Sequence, residues 1–139
     1  MAKGITGKAD REWSRVIRQV GECERCLAPG IPGKTGWKNL EAHHIIHRGD
    51  RDYRWDTSNG VCLCHNCHKW SPWAVHNDAS GFRDWLQINR EGQWKWYMSH
   101  VILDESRGHG IVTVRVIPRH KDDPERLTPK QAYDMLKEM

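Results

Sequence analysis

Two CxxC pairs constrain this chain more than any other feature: Cys23-Glu-Arg-Cys26 and Cys64-His-Asn-Cys67, with 37 residues between them. Each pair offers two thiols from one tight turn, and two such turns complete the tetrahedral set of four that a structural zinc ion takes. Whatever fold forms is therefore expected to bring Cys23 and Cys26 against Cys64 and Cys67. A redox dithiol of the thioredoxin kind fits less well, because neither pair sits in a strand–helix–strand pattern. The opening MAKGITGKAD has lysines without a following apolar run, so no secretory signal is expected and cytoplasmic residence is. Reduced thiols there favour metal ligation over disulfides. Of the five cysteines, Cys62 is left over and is expected to be a small core residue.

Composition explains why such a staple is useful. The chain has 139 residues, of which 37% are hydrophobic, and its mean hydropathy is -0.82. That length suits one compact unit with appended arms, and no apolar stretch is long enough for a bilayer, so a soluble protein is expected. With few aliphatic side chains to bury, a metal that ties distant loops together adds what the core lacks. Lys and Arg total 22 against 18 Asp and Glu, a net charge of +4. This mild excess favours an anionic partner such as nucleic acid, but many unrelated proteins carry as much.

Periodicity and breakers suggest an α+β organisation. Asp10 is placed to cap a helix over about 11–20, with Trp13, Val16, Ile17 and Val20 on one face and Gly21 as its stop. Residues 21–38 read as an irregular loop, 40–46 and 60–63 as short strands, 47–58 as a polar loop, and 64–70 as a turn into a helix. Phe82, Trp85 and Leu86 make one helical stripe; Trp94, Tyr97, Met98, Val101 and Ile102 make another. A strand over 111–117 and a helix from a Thr128/Pro129/Gln131 capping box to about Lys137 follow. The expected division is a domain at 1–105 and a strand–helix extension at 106–139. Trp13, Trp85 and Trp94 fit a core, whereas Trp37, Trp55, Trp70 and Trp73 could either pack over the cysteine knuckles or meet nucleic-acid bases.

Between the knuckles lie Leu40-Glu41-Ala42-His43-His44-Ile45-Ile46 and, after the polar loop, Asn59 and then His68. Asn59 follows His44 by 15 positions and His68 follows Asn59 by nine. This segment resembles the HNH endonuclease family, whose ββα-metal (His-Me finger) fold carries a His pair on its first strand, an Asn before its second and a His on its helix. A bracketing pair of zinc knuckles is a frequent family variant. The run Asn77 to Leu86 is similar to the helical continuation of phage-encoded members. The resemblance spans about residues 23–68, a third of the chain. It implies a ββα-metal core stapled by a four-cysteine zinc site, and a metal-dependent enzyme that cuts DNA to 5′-phosphate and 3′-hydroxyl ends. If the chain is phage-encoded, it would work in the host cytoplasm.

The chemistry asks for these residue types independently. Hydrolysis of a phosphodiester needs a base for water and a cation for the charge that builds on phosphate. His44 is the candidate base, because a neutral imidazole accepts a proton at pH 7. His43 and His68 are the candidate ligands of one catalytic divalent cation, with Mg, Mn, Ni and Zn all open. The resemblance implies that Asn59 orients His44 rather than reacts. Adjacent strand residues point to opposite faces, so His43 and His44 can serve one phosphate only where the strand ends or bends.

His76 lies eight residues beyond His68, about 12 Å along a straight helix, too far for one ion unless Pro72 brings the chain back. A helix-start or core role is preferred for it, with ligation as the alternative, and His65 is expected to be solvated. Arg48, Arg54 and Lys69 are the expected phosphate contacts beside the site. The competing readings are a zinc-stabilised nucleic-acid-binding module that does not cut, and an adaptor whose C-terminal strand pairs with a partner. The extension, with Arg115, Arg119, His120 and Lys121, could contact DNA, pair two copies, or bind another phage protein.

Overall fold

The first helix begins a full two turns before its amphipathic stretch. The computed structural model describes residues 4–105 and 112–139, and in it α1 spans Gly4–Arg18. Asp10 is thus inside the helix and does not cap it. Its carboxylate is instead taken by Arg54 and Trp55 from across the molecule. Gly7 and Ala9 are buried, so tertiary packing holds these early turns against the poor helix propensity of glycine. Val20, expected on the apolar face, falls beyond the helix end and is exposed.

Two short antiparallel strands, β1 (Pro32–Gly33) and β2 (Gly36–Trp37), close the loop after α1. The central hairpin pairs β3 (Leu40–His44) with β4 (Gly60–Cys64), in a register from Leu40 opposite Cys64 to His44 opposite Gly60. β3 stops two residues short of the expected Ile46. Ile45 donates one more bond to the Asn59 carbonyl, at 2.9 Å, and the chain then leaves the ladder. Every residue of β4 is buried, which accounts for its Val-Cys-Leu-Cys run. α1 crosses the hairpin at Gly60. A Cβ there would overlap Ile17 and come within 2.9 Å of the Trp13 ring, so glycine is required for the close approach.

A 3-10 turn at Thr57–Asn59 precedes β4, and a π-helical turn at Asn66–Trp70 follows it. Then come α2 (Ala79–Asn89), capped by the Asp78 side chain, and α3 (Glu91–Met98). Val101 and Ile102, expected on the second helical stripe, instead open β5 (Val101–Glu105), which pairs with β6 (Val112–Val116). The helix ends at Ser99, and the β-branched pair finds cross-strand partners in Val116 and Arg115. Of the strand expected over 111–117, Ile111 lies outside the described residues. The boundary expected at 105/106 falls inside this hairpin.

α4 (Pro129–Leu136) carries the full capping box, with the Thr128 and Gln131 side chains bonded reciprocally and Pro129 in its first turn. Ala132 and Leu136 pack with Ala9, Trp13 and Trp55. A second cluster joins Cys23, Leu40, Val61, Leu63, Cys67, Phe82 and Leu86. The architecture is α+β: a β-hairpin and its π-helical turn, backed by α1 and α4 on one side and by α2 on the other. Among the described residues no helix is long and apolar enough to cross a membrane.

Candidate active site

The four cysteines converge. Sγ atoms of Cys23, Cys26, Cys64 and Cys67 all lie within 4.8 Å of one another, and Cys26 and Cys64 are 3.6 Å apart. A tetrahedron with metal–sulfur bonds of about 2.3 Å has edges of about 3.8 Å, so the spacing suits a single ion. The first turn is closed by Leu27 N–H to the Cys23 carbonyl at 2.8 Å, with Leu27 at φ +66°. Burial pushes the Cys23 thiol up, yet backbone N–H groups of Cys26, Cys64 and Arg25 aim at its sulfur and bring it below the ordinary thiol range. Cys26 and Cys67 move the other way, driven first by burial and then by the neighbouring sulfurs. A divalent cation would resolve these opposed demands by favouring all the thiolates at once. Cys62 stands apart as a core thiol, pushed up to about 12 by burial.

On the other side of the hairpin, His43, His68 and His76 bring ligand nitrogens within 4.8 Å of one another. The Nε2 atoms of His68 and His76 are 3.0 Å apart. The preferred expectation for His76, a helix-start or core role, is thus corrected: its ring reaches His68. The π-helical turn ends at Ser71, and the chain folds back so that Val75 N–H meets the Cys67 carbonyl at 3.0 Å and His76 N–H the His68 carbonyl at 3.2 Å. Two turns of straight helix would have separated the rings; this reversal joins them.

Glu41 completes the cluster. Its Oε1 accepts from His68 Nδ1 at 2.9 Å and lies 3.1 Å from His65 Nδ1. A carboxylate only accepts, so His68 carries its proton on Nδ1 and turns the Nε2 lone pair toward His76. His65 is accordingly half-buried and tied down, not the solvated residue expected. Glu41 had a legible signal in the sequence, since residues two apart on a strand share a face and Glu41 precedes His43 by two.

His44 ends β3 on the opposite side from His43. His43 faces Phe82, His68 and His76, whereas His44 stacks on Trp13 with ring centroids 3.8 Å apart and planes 9° from parallel. Both nevertheless border one cavity of about 430 Å³, together with His68, His76, Arg48 and Lys69. His44 Nε2 lies 2.9 Å from the Arg54 carbonyl. A carbonyl only accepts, so Nε2 holds the hydrogen and Nδ1 keeps a free lone pair. Burial lowers the pKa of His44 to about 4 and that of His43 to about 3. Both imidazoles are therefore neutral at pH 7. Residues 23–70 match the HNH endonuclease family model.

The HNH region holds the four clustered cysteines, His43, His44, Asn59 and His68, while His76, Asp10 and Trp13 lie outside it. No curated protein and no solved structure matches the chain.

Asn59 makes no bond to the His44 ring. It is fully buried, and its amide accepts from Ile46 N–H at 2.6 Å and donates to the Ile46 and Tyr53 carbonyls at 3.0 Å each. It therefore ties Ile46, at the start of the loop, to Tyr53, the residue before Arg54, and its effect on His44 is indirect.

The cations divide into two groups. Arg48 and Lys69 are exposed and border the cavity. Arg54 does not; its guanidinium is buried and forks onto Asp10 at 2.9 and 2.7 Å, so the expected phosphate contact is withdrawn. Arg119 is likewise buried and bonded to Asp56 and is no free DNA contact. Of the four tryptophans left open, Trp55 is buried and bonded to Asp10, and Trp37 packs over Gly21 and Gly30. Trp70 and Trp73 are 71% and 53% exposed. Asp10 gave no local signal as a site residue, and Trp13 was legible only as an apolar helix position.

Proposed function

We propose that this chain is a metal-dependent endonuclease that hydrolyses DNA phosphodiester bonds. The observation that carries the reading is that His44, with its acceptor nitrogen free, and the three-imidazole cluster border one cavity whose rim holds Arg48 and Lys69. In this scheme His44 Nδ1 takes the proton from the attacking water. Its lowered pKa keeps it unprotonated over the whole neutral range. Arg48 and Lys69 hold the flanking phosphates through sequence-independent contacts.

His43, His68 and His76 would hold a divalent ion, three donors that leave positions for oxygen ligands. When bound, that ion supplies Lewis-acid stabilisation to the charge building on the phosphate. Three imidazoles suit Zn, Ni or Mn better than Mg. Glu41 fixes His68 in the ligating tautomer. Cys23, Cys26, Cys64 and Cys67 would hold a separate structural zinc.

Supercoiled-plasmid nicking with added Mg, Mn, Ni or Zn tests the proposal. The native protein is expected to produce open-circle DNA, and His44→Ala to lose at least about 100-fold in rate with an unchanged content of tightly held zinc. Binding of DNA without nicking under every ion would instead identify a zinc-stabilised binding module.

A further inference from the structure

The group that holds His44 in its tautomer is a backbone carbonyl, and a carbonyl is only as well placed as the loop that carries it. Residues 52–56 are bonded from two sides by elements outside the HNH region. From α1, Asp10 takes Arg54 Nε and Nη2 at 2.9 and 2.7 Å and Trp55 Nε1 at 3.0 Å. Three residues on, Trp13 donates its Nε1–H to the Asp56 carbonyl at 2.8 Å while its ring lies on His44.

From the C-terminal segment, Arg119 donates Nη1 to the Asp52 carbonyl at 2.8 Å and grips the Asp56 carboxylate at 3.0 and 2.6 Å. Its backbone N–H reaches Asp52 Oδ2 at 3.0 Å, and its guanidinium lies 4.5 Å over the Tyr53 ring. Tyr53 in turn donates its hydroxyl hydrogen to the Ile117 carbonyl. Every residue from Asp52 to Asp56 is thus held through side chain or backbone, with the Arg54 carbonyl at the centre. Arg54, Asp52 and Asp56 of this loop are thus wired internally, while Arg48 and Arg51 stay exposed.

We propose that Asp10 and Arg119 are positioning residues for His44, clamping the loop from opposite sides so that the Arg54 carbonyl stays on His44 Nε2. The segment around Ile117 and Arg119 then serves the site as an intramolecular brace. This rests on the reading of His44 as the general base only for its effect on rate; its effect on the ring is independent of that reading. Both residues act through His44 and touch no substrate. Loss of either leaves the catalytic groups in place but frees the imidazole to rotate or change tautomer. A displacement of about 1 Å in such a group can cost on the order of 100-fold in rate.

The test uses the full chain carrying Asp10→Ala or Arg119→Ala, with Asp10→Asn and Arg119→Lys as conservative partners should the first pair fail to fold. Long-range 1H–15N correlation of the histidine rings reads the His44 tautomer without any cleavage. The native protein should show His44 as Nε2–H. In the variants its Nδ1–H population should rise and its Nε2–H exchange should quicken roughly tenfold or more, with the His68 tautomer unchanged. In nicking assays kcat should fall with KM unaltered, Asp10→Asn should recover part of the loss, and neither variant should lower the residual rate of His44→Ala further. A folded set in which the His44 ring signals match the native ones overturns the proposal. So does an Asp10→Ala effect of equal size in the native and His44→Ala backgrounds. If the native protein fails to nick, the nuclease reading falls and the ring signals still decide this one.

Discussion

Removing the zinc proposed for the four-cysteine site should destabilise this protein. Cys23, Cys64 and Cys67 are buried, and they share one apolar cluster with Leu40, Val61, Leu63, Phe82 and Leu86. The site joins the loop after α1 to the end of β4 and the π-helical turn, segments otherwise tied by few bonds, such as Glu24 N–H to the Cys62 carbonyl at 2.9 Å. Structural zinc contributes about 10–16 kcal/mol of apparent binding free energy in small metal-folded domains, while a whole domain of ordinary size has only about 5–15 kcal/mol of net stability. Even if most of the first figure offsets the ordering of the two turns, a net loss of about 4 kcal/mol is a conservative expectation. For a chain of this length that is a fall in Tm of more than about 10 °C. The perturbation is Cys67→Ser, or a chelator strong enough to strip tightly held zinc, read by circular dichroism melts alongside metal content. Native-like melting of a demonstrably zinc-free sample would refute the reasoning.

Other outcomes follow from the same geometry. Because burial lowers His43 to about 3 and His44 to about 4, the unfolded chain binds more protons than the folded one between those values and about 6.5. Stability should therefore fall as pH drops from about 6.5 toward 4, in a Tm series across that range. Nicking should show no base-protonation limb between about pH 6 and 8, since His44 is already neutral there; a rate that doubles with each rise of a few tenths of a pH unit near 6.5 would speak against it. Arg48→Ala and Lys69→Ala should raise KM and flatten the salt dependence of DNA binding while sparing kcat. Arg54→Ala should behave differently, lowering Tm by leaving Asp10 without its buried partner, a cost of about 3 kcal/mol. Gly60→Ala should destabilise the fold by about 1–3 kcal/mol and shift Trp13 off His44, visible as a changed His44 ring spectrum.

Patterns confined to a few neighbouring residues were legible in the chain by itself. The CxxC pairs announced a convergent thiol cluster because ligand spacing is a local property, and His43, His44, Asn59 and His68 carried the family resemblance for the same reason. The capping box at Thr128 and the two short strands that became β3 and β4 were likewise written in short range. Tertiary structure decided what depends on distant partners. Asp10 reads locally as a helix cap, but an arginine 44 positions away makes it part of a partly buried ion pair. Arg54 and Arg119 read as surface cations until their carboxylates are seen. His76 joins His43 and His68 only because the backbone reverses after Ser71, and Val101 becomes a strand residue only because Val116 arrives opposite it. Residue type and spacing specify which groups can do the chemistry; the path of the chain through space decides which of them remain free to do it.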